Sequence, residues 1–512
     1  MDNGGKYKKI LLVDPKGGED ARGFNMGIAS LSSVLRSKNK VVSILDFVNI
    51  RGGDPKEKLK KAVRDFNPDA VGVSIQNMSF RFSKEIIYFL RTIYPGLILI
   101  GGPEVTARKK ILEEIPEADI AIIGEGEQTL SELLDRMEET DDISNIDGIV
   151  WRRGGKFVVN KPRNLIMDLD SMPFPDFETY GIKFFDNYPI MTSRGCPFNC
   201  SFCSSYLGRT WRKRSSENVI TEIKLVVEKY KIKMIQFFDP SINIIPERVI
   251  KLCELMIQEK INIPWVAYGM RADKINDKLI KKMKEAGCKR VYVGIESMDP
   301  EVYAEIEKSE SIEEIKRGIK IAKDNNVEVH GYLIMGLPKD NFKKTMRSFE
   351  EAEKLNLDAL SWASAVPYTG TRLYEWVKNN AKELYDSTEV SLVGTRYEDV
   401  AFETKEFSYK ERVLARKILR LKSGSYHCGL TTGKLQYWCE KLYLMFRYDW
   451  RSIPKRIVRS MKYRAKIKKA NNISTILQNE SVVLARIPDG TWGLNKNDAL
   501  VANNELVLLK LK

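Results

Sequence analysis

The sequence predicts an α/β chain in three parts: a doubly wound, Rossmann-like domain over residues 1–140, a partial (β/α)6 barrel over 188–375, and a mainly helical, basic region over 376–512. Three observations predict it. Short apolar runs alternate with helix-length segments in the first 140 residues, a second alternating series starts near residue 188, and helical periodicity takes over after about 370.

In the first series the strands are KILLVD (9–14), VVSILD (41–46), AVGVSI (70–75), LILIGG (97–102) and IAIIGEG (120–126), with helices such as GIASLSSVLRSK and SKEIIYFLRTIY between them. Strands this apolar are buried on both faces, as in a parallel sheet. Such sheets bind ligands beyond the carboxyl ends of their strands. Polar residues and glycines gather there: Ser74 and Gln76, then Gly101, Gly102, Pro103 and Glu104, then Gly124, Glu125 and Gly126. No G-x-G-x-x-G follows the first strand, which weakens a dinucleotide reading. Residues 141–187 form a linker, with GIVWRRGGKFVVN as a small hairpin and a proline-interrupted stretch after it.

The second series runs through 188–193, MIQFFD (234–239), WVAYGM (265–270), VYVGIE (291–296), VHGYLIMG (329–336) and ALSWAS (359–364). About six strand–helix units make a partial barrel, whose chemistry belongs at the carboxyl ends of the strands. At that end of the first strand stands TSRGCPFNCSFC, with Cys196, Cys200 and Cys203 spaced C-x3-C-x2-C. Three buried thiols could lie together by chance. A structural zinc would need a fourth ligand, and Cys253, Cys288, Cys428, Cys439, His330 and His427 are all remote in sequence. An iron–sulfur cluster fits the spacing best, because thiolates hold such clusters and three of them leave one iron open.

The motif, with Phe202 before its last cysteine, resembles that of the radical S-adenosylmethionine (SAM) superfamily. GCKRVYVGIESMDPEVYAEIEKS (287–309), YLIMGLPKDNFKKTMRSFEEAEKLNLD (332–358) and PYTGTRLYE (367–375) resemble the family's fourth-, fifth- and sixth-strand segments, in order. The resemblance implies that Cys196, Cys200 and Cys203 ligate a 4Fe–4S cluster. SAM would chelate the open iron and be cleaved to a deoxyadenosyl radical. It also implies SAM contacts at Phe202, Asp239, Arg271, Glu296, Ser297 and Gly336: Asp239 to the ammonium, Arg271 to the carboxylate and Glu296 to the ribose. Pro240 stands where relatives commonly carry a second acid.

A strand, GGPEVT, strand, GEGEQT order ahead of such a barrel resembles the cobalamin-binding domain of cobalamin-dependent radical SAM enzymes, which include methyltransferases and cyclases. The resemblance places cobalamin against Ser74, Gln76, Gly101, Gly102, Pro103, Glu104, Gly124, Glu125 and Gly126. Glu104 stands where relatives often have histidine, and residues 1–140 contain no histidine. Cobalamin is therefore expected base-off, with no histidine ligand from its own domain. The expected activity is C-methylation of an unactivated carbon through the cluster, SAM and methylcobalamin. A radical cyclase, oxidoreductase or carbon–carbon bond-forming enzyme, with a lipid among its candidate substrates, is the alternative; a non-catalytic cobalamin or redox sensor is the reading from another class.

Charge is uneven. Residues 401–512 hold 23 Lys and Arg against 9 Asp and Glu, while residues 1–400 are nearly neutral. Ten of the basic residues lie between Arg447 and Lys469, after the aromatic stretch YWCEKLYLMF. That pairing predicts a solvated helix, or peripheral membrane contact through residues 436–469, or an acidic partner; nothing in it reads nucleic-acid sequence. No run of about 18 uncharged apolar residues and no signal peptide is present, so a cytoplasmic enzyme is expected. Its partners would be a small-molecule, lipid or peptide substrate and an electron donor such as flavodoxin or ferredoxin.

Overall fold

The structure, a computed structural model, describes residues 6–15, 24–49, 53–108, 110–181, 186–385, 400–423, 482–486, 492–493 and 508–510. The aromatic and basic stretch 436–469 lies outside the described residues.

The first unit runs β1 (Lys9–Asp14), α1 (Met26–Ser37), β2 (Val41–Asp46), α2 (Pro55–Phe66), β3 (Ala70–Ser74), α3 (Phe80–Ile93), β4 (Leu97–Gly101), α4 (Pro103–Ala107), α5 (Ile111–Glu114), β5 (Ile120–Ile122) and α6 (Gly126–Glu139). The first five strands are parallel, in the order β2-β1-β3-β4-β5. The hairpin β6 (Ile149–Arg153) and β7 (Lys156–Val159) continues the same sheet as two antiparallel edge strands. Alternate strand residues enter two separate cores: Leu11, Val13, Val71 and Val73 on one face, Ile10, Leu12, Ala70 and Leu99 on the other. This two-sided burial is why the strands read as unbroken apolar runs. Local signals set the helices. Asn25 caps α1 through the amides of Gly27 and Ile28, and α2 starts on Asp54 and Pro55 and stops at a left-handed Asn67.

The second unit has a six-stranded parallel sheet in the order β8-β11-β12-β13-β14-β15, spanning Asn187–Ile190, Met234–Phe237, Trp265–Met270, Cys288–Glu296, Glu328–Met335 and Ala359–Ser364. Sequential strands pair side by side, as in a partial barrel. Between β8 and β11 a two-stranded antiparallel ribbon, β9 (Ser193–Arg194) and β10 (Arg212–Lys213), closes a loop that holds all three clustered cysteines. The helices α7 (Ser216–Lys229), α8 (Pro246–Gln258), α9 (Asp277–Glu285), α10 (Pro300–Ala304), α11 (Ile312–Asp324), α12 (Phe342–Glu353) and α13 (Arg372–Asn380) connect the strands and share one apolar core with them. A stack of rings crosses neighbouring strands: Phe238 on Tyr268 (4.4 Å), Tyr268 on Tyr292 (4.1 Å) and Tyr292 on His330 (4.9 Å). His330 is buried there, its Nε2 is 2.8 Å from Ser361 Oγ, and burial lowers its pKa to about 4.

The linker belts the two units together. Ser32 and Ser33 on α1 donate to Asp176 and Phe174 (2.8 and 2.6 Å), and the Ser215 amide before α7 donates to Asp170 (2.9 Å). After the barrel, α14 (Tyr409–Ser423) lies against α12 and β15. Its Arg412, 1% exposed, donates to the Gly336 carbonyl (3.2 Å), and Arg416 donates to Ser364 Oγ (2.9 Å). Further on, Val482–Arg486 pairs antiparallel with Trp492–Gly493 and Leu508–Lys510, short strands within a region expected to be mainly helical. No helix among the described residues is long and apolar enough to cross a membrane.

Candidate active site

The cysteine loop begins at a left-handed Gly195 (φ +78°), where a Cβ would overlap the Thr210 carbonyl oxygen. Only glycine fits that turn. Backbone bonds fix the rest of the loop: Cys196 N to Gly208 O (3.1 Å), Ser201 N to Ile306 O (2.9 Å) and Leu373 N to Ser201 O (2.9 Å). The Arg271 guanidinium lies 3.5 Å from the centroid of Phe198. Phe202 is half-buried against the barrel core.

Cys196, Cys200 and Cys203 are free thiols. Burial pushes the Cys200 thiol up to about 11, with the Lys308 charge opposing the rise. Burial also raises Cys203, and a thiol raised in this way stays protonated until a metal displaces the proton. No three His, Cys, Asp or Glu side chains among the described residues converge as one metal ion would require. A cluster makes a different demand, since each thiolate binds its own iron. A loop braced by backbone bonds, with three free thiols within eight residues, fits that demand.

The residues expected at SAM fall into two groups. Glu296, left-handed at φ +60° and 8% exposed, pairs through Oε1 with the buried Lys308 Nζ (3.1 Å), which also meets Glu310 (2.8 Å). Oε2 stays outside that pair. The others have protein partners. The Asp239 carboxylate, 2% exposed, accepts from the Thr192 amide (3.1 Å), the Thr192 hydroxyl (2.7 Å) and the Ser193 hydroxyl (2.5 Å). Arg271 donates to Asp273 and to the carbonyls of Lys308 and Ser309, each at 2.9 Å. The Ser297 hydroxyl accepts from the Asp299 amide (3.2 Å) and lies 3.4 Å from Ser348 Oγ. A Cβ on Gly336 would strike the Arg412 guanidinium.

The corrin loops sit at the carboxyl end of the first sheet. Gly102 has φ +109° and ψ −178°, a region open essentially to glycine, and a Cβ there would lie 2.8 Å from the Ile75 carbonyl oxygen. Gly102→Ala is expected to cost about 1–3 kcal/mol, read as a lower unfolding midpoint in urea. Gly124 (φ +84°) after β5 faces open space and Gln76 after β3 is exposed, so backbone at these strand ends is clear for a large flat ligand. Ser74 Oγ accepts from Asn25 (3.1 Å), while Gly101 and Pro103 flank Gly102 at the start of α4 and Gly126 opens α6. No histidine lies near these loops among the described residues, because the one described histidine, His330, is buried in the barrel strand β14.

The two acids of these loops turn toward the barrel. Glu104, 4% exposed, holds Arg108 (2.5 Å) and Asn77 (3.3 Å) and accepts from Thr369 Oγ1 (3.3 Å) in the segment after β15. Glu125 Oε1 accepts from Arg194 Nη1 (2.8 Å), and its Oε2 from Arg212 Nη1 (2.6 Å) and the Ile166 amide (3.0 Å). Burial alone would raise the Glu125 carboxyl, but the hydrogen bonds from Arg194 and Arg212 hold it below its ordinary range. Arg194 Nη2 also reaches Glu127 (2.7 Å). Glu125 thus has protein partners where a corrin contact was expected. Sequence reading missed Arg194, Arg212, Lys308, Thr192, Ser193 and Arg248. The one available signal was an arginine placed two residues before the first cysteine.

Comparison with known proteins agrees with this layout. The B12 binding domain family matches residues 20–134, and the Radical SAM superfamily matches residues 190–352. An uncharacterized methyltransferase of Pyrococcus horikoshii is 33% identical over 393 residues, covering 73% of this chain and 84% of the relative. The anaerobic magnesium-protoporphyrin IX monomethyl ester cyclase of Rubrivivax gelatinosus is 26% identical over 363 residues, which cover 67% of this chain and 63% of the cyclase. Among solved structures, the radical SAM methyltransferase TsrM of Kitasatospora setae, with cobalamin and a 4Fe–4S cluster bound, shares the fold at TM-score 0.62 and 17% identity over 73% of this chain and 75% of its own. OxsB with aqua-cobalamin and SAM bound does so at TM-score 0.64 and 17% identity over 81% and 66%.

The chain belongs to the radical SAM enzymes that carry a B12-binding domain, a family of methyltransferases and cyclases. It is an enzyme of that family, and its cofactors are a 4Fe–4S cluster, SAM and cobalamin.

Proposed function

We propose that this enzyme methylates an unactivated carbon of a small-molecule, lipid or peptide substrate. The observation that carries the reading is the placement of the two cofactor loops. The corrin-loop acid Glu125 is bonded to Arg194, two residues before Cys196, and Glu104 is bonded to Thr369, in the segment whose Leu373 holds Ser201. Methyl transfer needs the two cofactors to face one substrate carbon, and these contacts hold their loops together. When bound, the cluster supplies the electron that cleaves SAM, and cobalamin supplies the methyl carrier.

The chain's own residues do the rest. Cys196, Cys200 and Cys203 would hold the cluster. Glu296 would offer its Oε2 to the SAM ribose while Lys308 holds its Oε1. Asp239, Arg271 and Phe198 fix the loop, and a flavodoxin or ferredoxin supplies the electron. In this proposal residues 1–140 carry cobalamin, 188–375 carry the radical chemistry, and 376–512 contact substrate or partner.

The test is anaerobic turnover of the reconstituted enzyme with SAM bearing a trideuterated methyl group and the small-molecule fraction of the source cells. A product heavier by the labelled methyl, with S-adenosylhomocysteine and deoxyadenosine formed in about equal amounts, is the expected result. The cyclase relatives favour a second reading. Deoxyadenosine without S-adenosylhomocysteine would overturn methyl transfer in favour of that one.

A further inference from the structure

Glu125 does more than tie two units together. Arg194 and Arg212 face each other across the β9–β10 ribbon, one on each stem of the loop that carries the three cysteines. The two Glu125 oxygens take one stem each, Oε1 from Arg194 (2.8 Å) and Oε2 from Arg212 (2.6 Å). One carboxylate from the corrin loop therefore pinches the base of the cluster loop. The clasp is dry: the side chains of Glu125, Glu127, Arg194 and Arg212 are 6%, 7%, 17% and 1% exposed. Arg212 is braced further by the carbonyls of Ile166 and Leu207, both at 2.9 Å. Glu127, on the first turn of α6, holds the second Arg194 nitrogen at 2.7 Å and is itself held by Ser30 Oγ at 2.9 Å.

Charge-assisted bonds inside a dry interface are strong and directional. Exposed ion pairs contribute little and tolerate movement, so a buried bidentate clasp is a device for position. Gly124, with its left-handed backbone and open space above it, adjoins Glu125 directly. A ligand on Gly124 would lie against the backbone next to the clasp.

We propose that Glu125 is a positioning residue that couples occupancy of the corrin loop to the geometry of the cluster loop: a corrin seated on Gly124 orders residues 193–213 through Arg194 and Arg212. The inference rests on the cobalamin assignment of the first unit. It lets the loop that generates the radical register whether the corrin loop opposite it is occupied.

The test is hydrogen–deuterium exchange on the full-length, cluster-reconstituted protein, with and without hydroxocobalamin, alongside electron paramagnetic resonance of the reduced cluster. In the wild type, corrin is expected to slow exchange across 193–213 about tenfold and to change the cluster spectrum. Glu125→Gln is expected to retain corrin, measured by its visible absorbance, and to lose both responses. Glu125→Asp keeps the charge but is one methylene short of spanning both stems. It should show the same loss, and it decides the matter if circular dichroism shows the Gln variant unfolded. Corrin bound with no change at 193–213 in the wild type, or with the full response in the variants, overturns the coupling alone. A wild type that binds no corrin overturns the cobalamin assignment and the coupling with it.

Discussion

Cys200→Ala is expected to abolish SAM cleavage and to strip the purified protein of iron and sulfide, while leaving the far-ultraviolet circular dichroism unchanged. The chemical half follows from the ligand set: with two thiolates left, a cluster has lost one of its three anchors. The structural half follows from the loop. Its backbone bonds to Gly208, Ile306 and Leu373 involve no sulfur, and Arg209 holds the Cys203 carbonyl at 3.2 Å. Arg372 adds a bond to the Asn199 carbonyl. Replacing a half-buried thiol by a methyl group disturbs none of these. Activity should therefore fall below detection with less than about 1 kcal/mol lost in stability. Retained deoxyadenosine formation in Cys200→Ala would refute the cluster assignment; an unfolded variant would refute the preformed loop. Chelating the iron from the wild type should have the same signature, loss of activity without loss of fold, reversed by anaerobic reconstitution.

What the sequence discloses and what it hides divides along a physical line. The strands of both sheets were legible because parallel strands bury both faces, and β1, β2, β12 and β15 have the bounds read from the apolar runs. The cysteine loop was legible because its ligands are close in sequence and its Gly195 and Pro197 mark a tight turn. The clasp was hidden. Glu125 and Arg194 are 69 residues apart, and any charged residue at a strand end reads as an ordinary surface pair until its burial is known. Asp239 and Arg271 show the converse. Motif position gave them SAM as partner, and the fold gives them the loop that would hold SAM. Lys308 could not be read at all, since a lysine enters a barrel only because Glu296 and Glu310 await it there. The arginines of α14, which close the barrel at Gly336 and Ser364, lie in a segment whose amphipathic pattern was visible but whose docking site was not.

Asp239→Ala is expected to be the most destabilising single change at the site, costing about 3–5 kcal/mol. Asp239 is buried at the end of β11, and its carboxylate gathers the amide and hydroxyl of Thr192 and the hydroxyl of Ser193, the residues that lead into the cysteine loop. The same Thr192 receives Arg248, which donates to its hydroxyl (3.0 Å) and its carbonyl (2.7 Å). Burial drives the Asp239 carboxyl upward in pKa, opposed by the bonds from Ser193 and Thr192 and by the Arg248 charge. Alanine would leave three donors without an acceptor and Arg248 without its counter-charge, all in a dry site where unpaired polar groups are costly. The stem at Ser193 would then lose its anchor and the cysteines their common geometry. Urea denaturation should show the loss of stability, and iron content should fall together with it. Asp239→Asn keeps one acceptor oxygen and should fall between the two. If the aspartate's main role were to bind the SAM ammonium, the alanine variant would keep its stability and its cluster and show only a raised KM for SAM. That outcome would return Asp239 to the role its motif position implied and remove it from the scaffold of the loop.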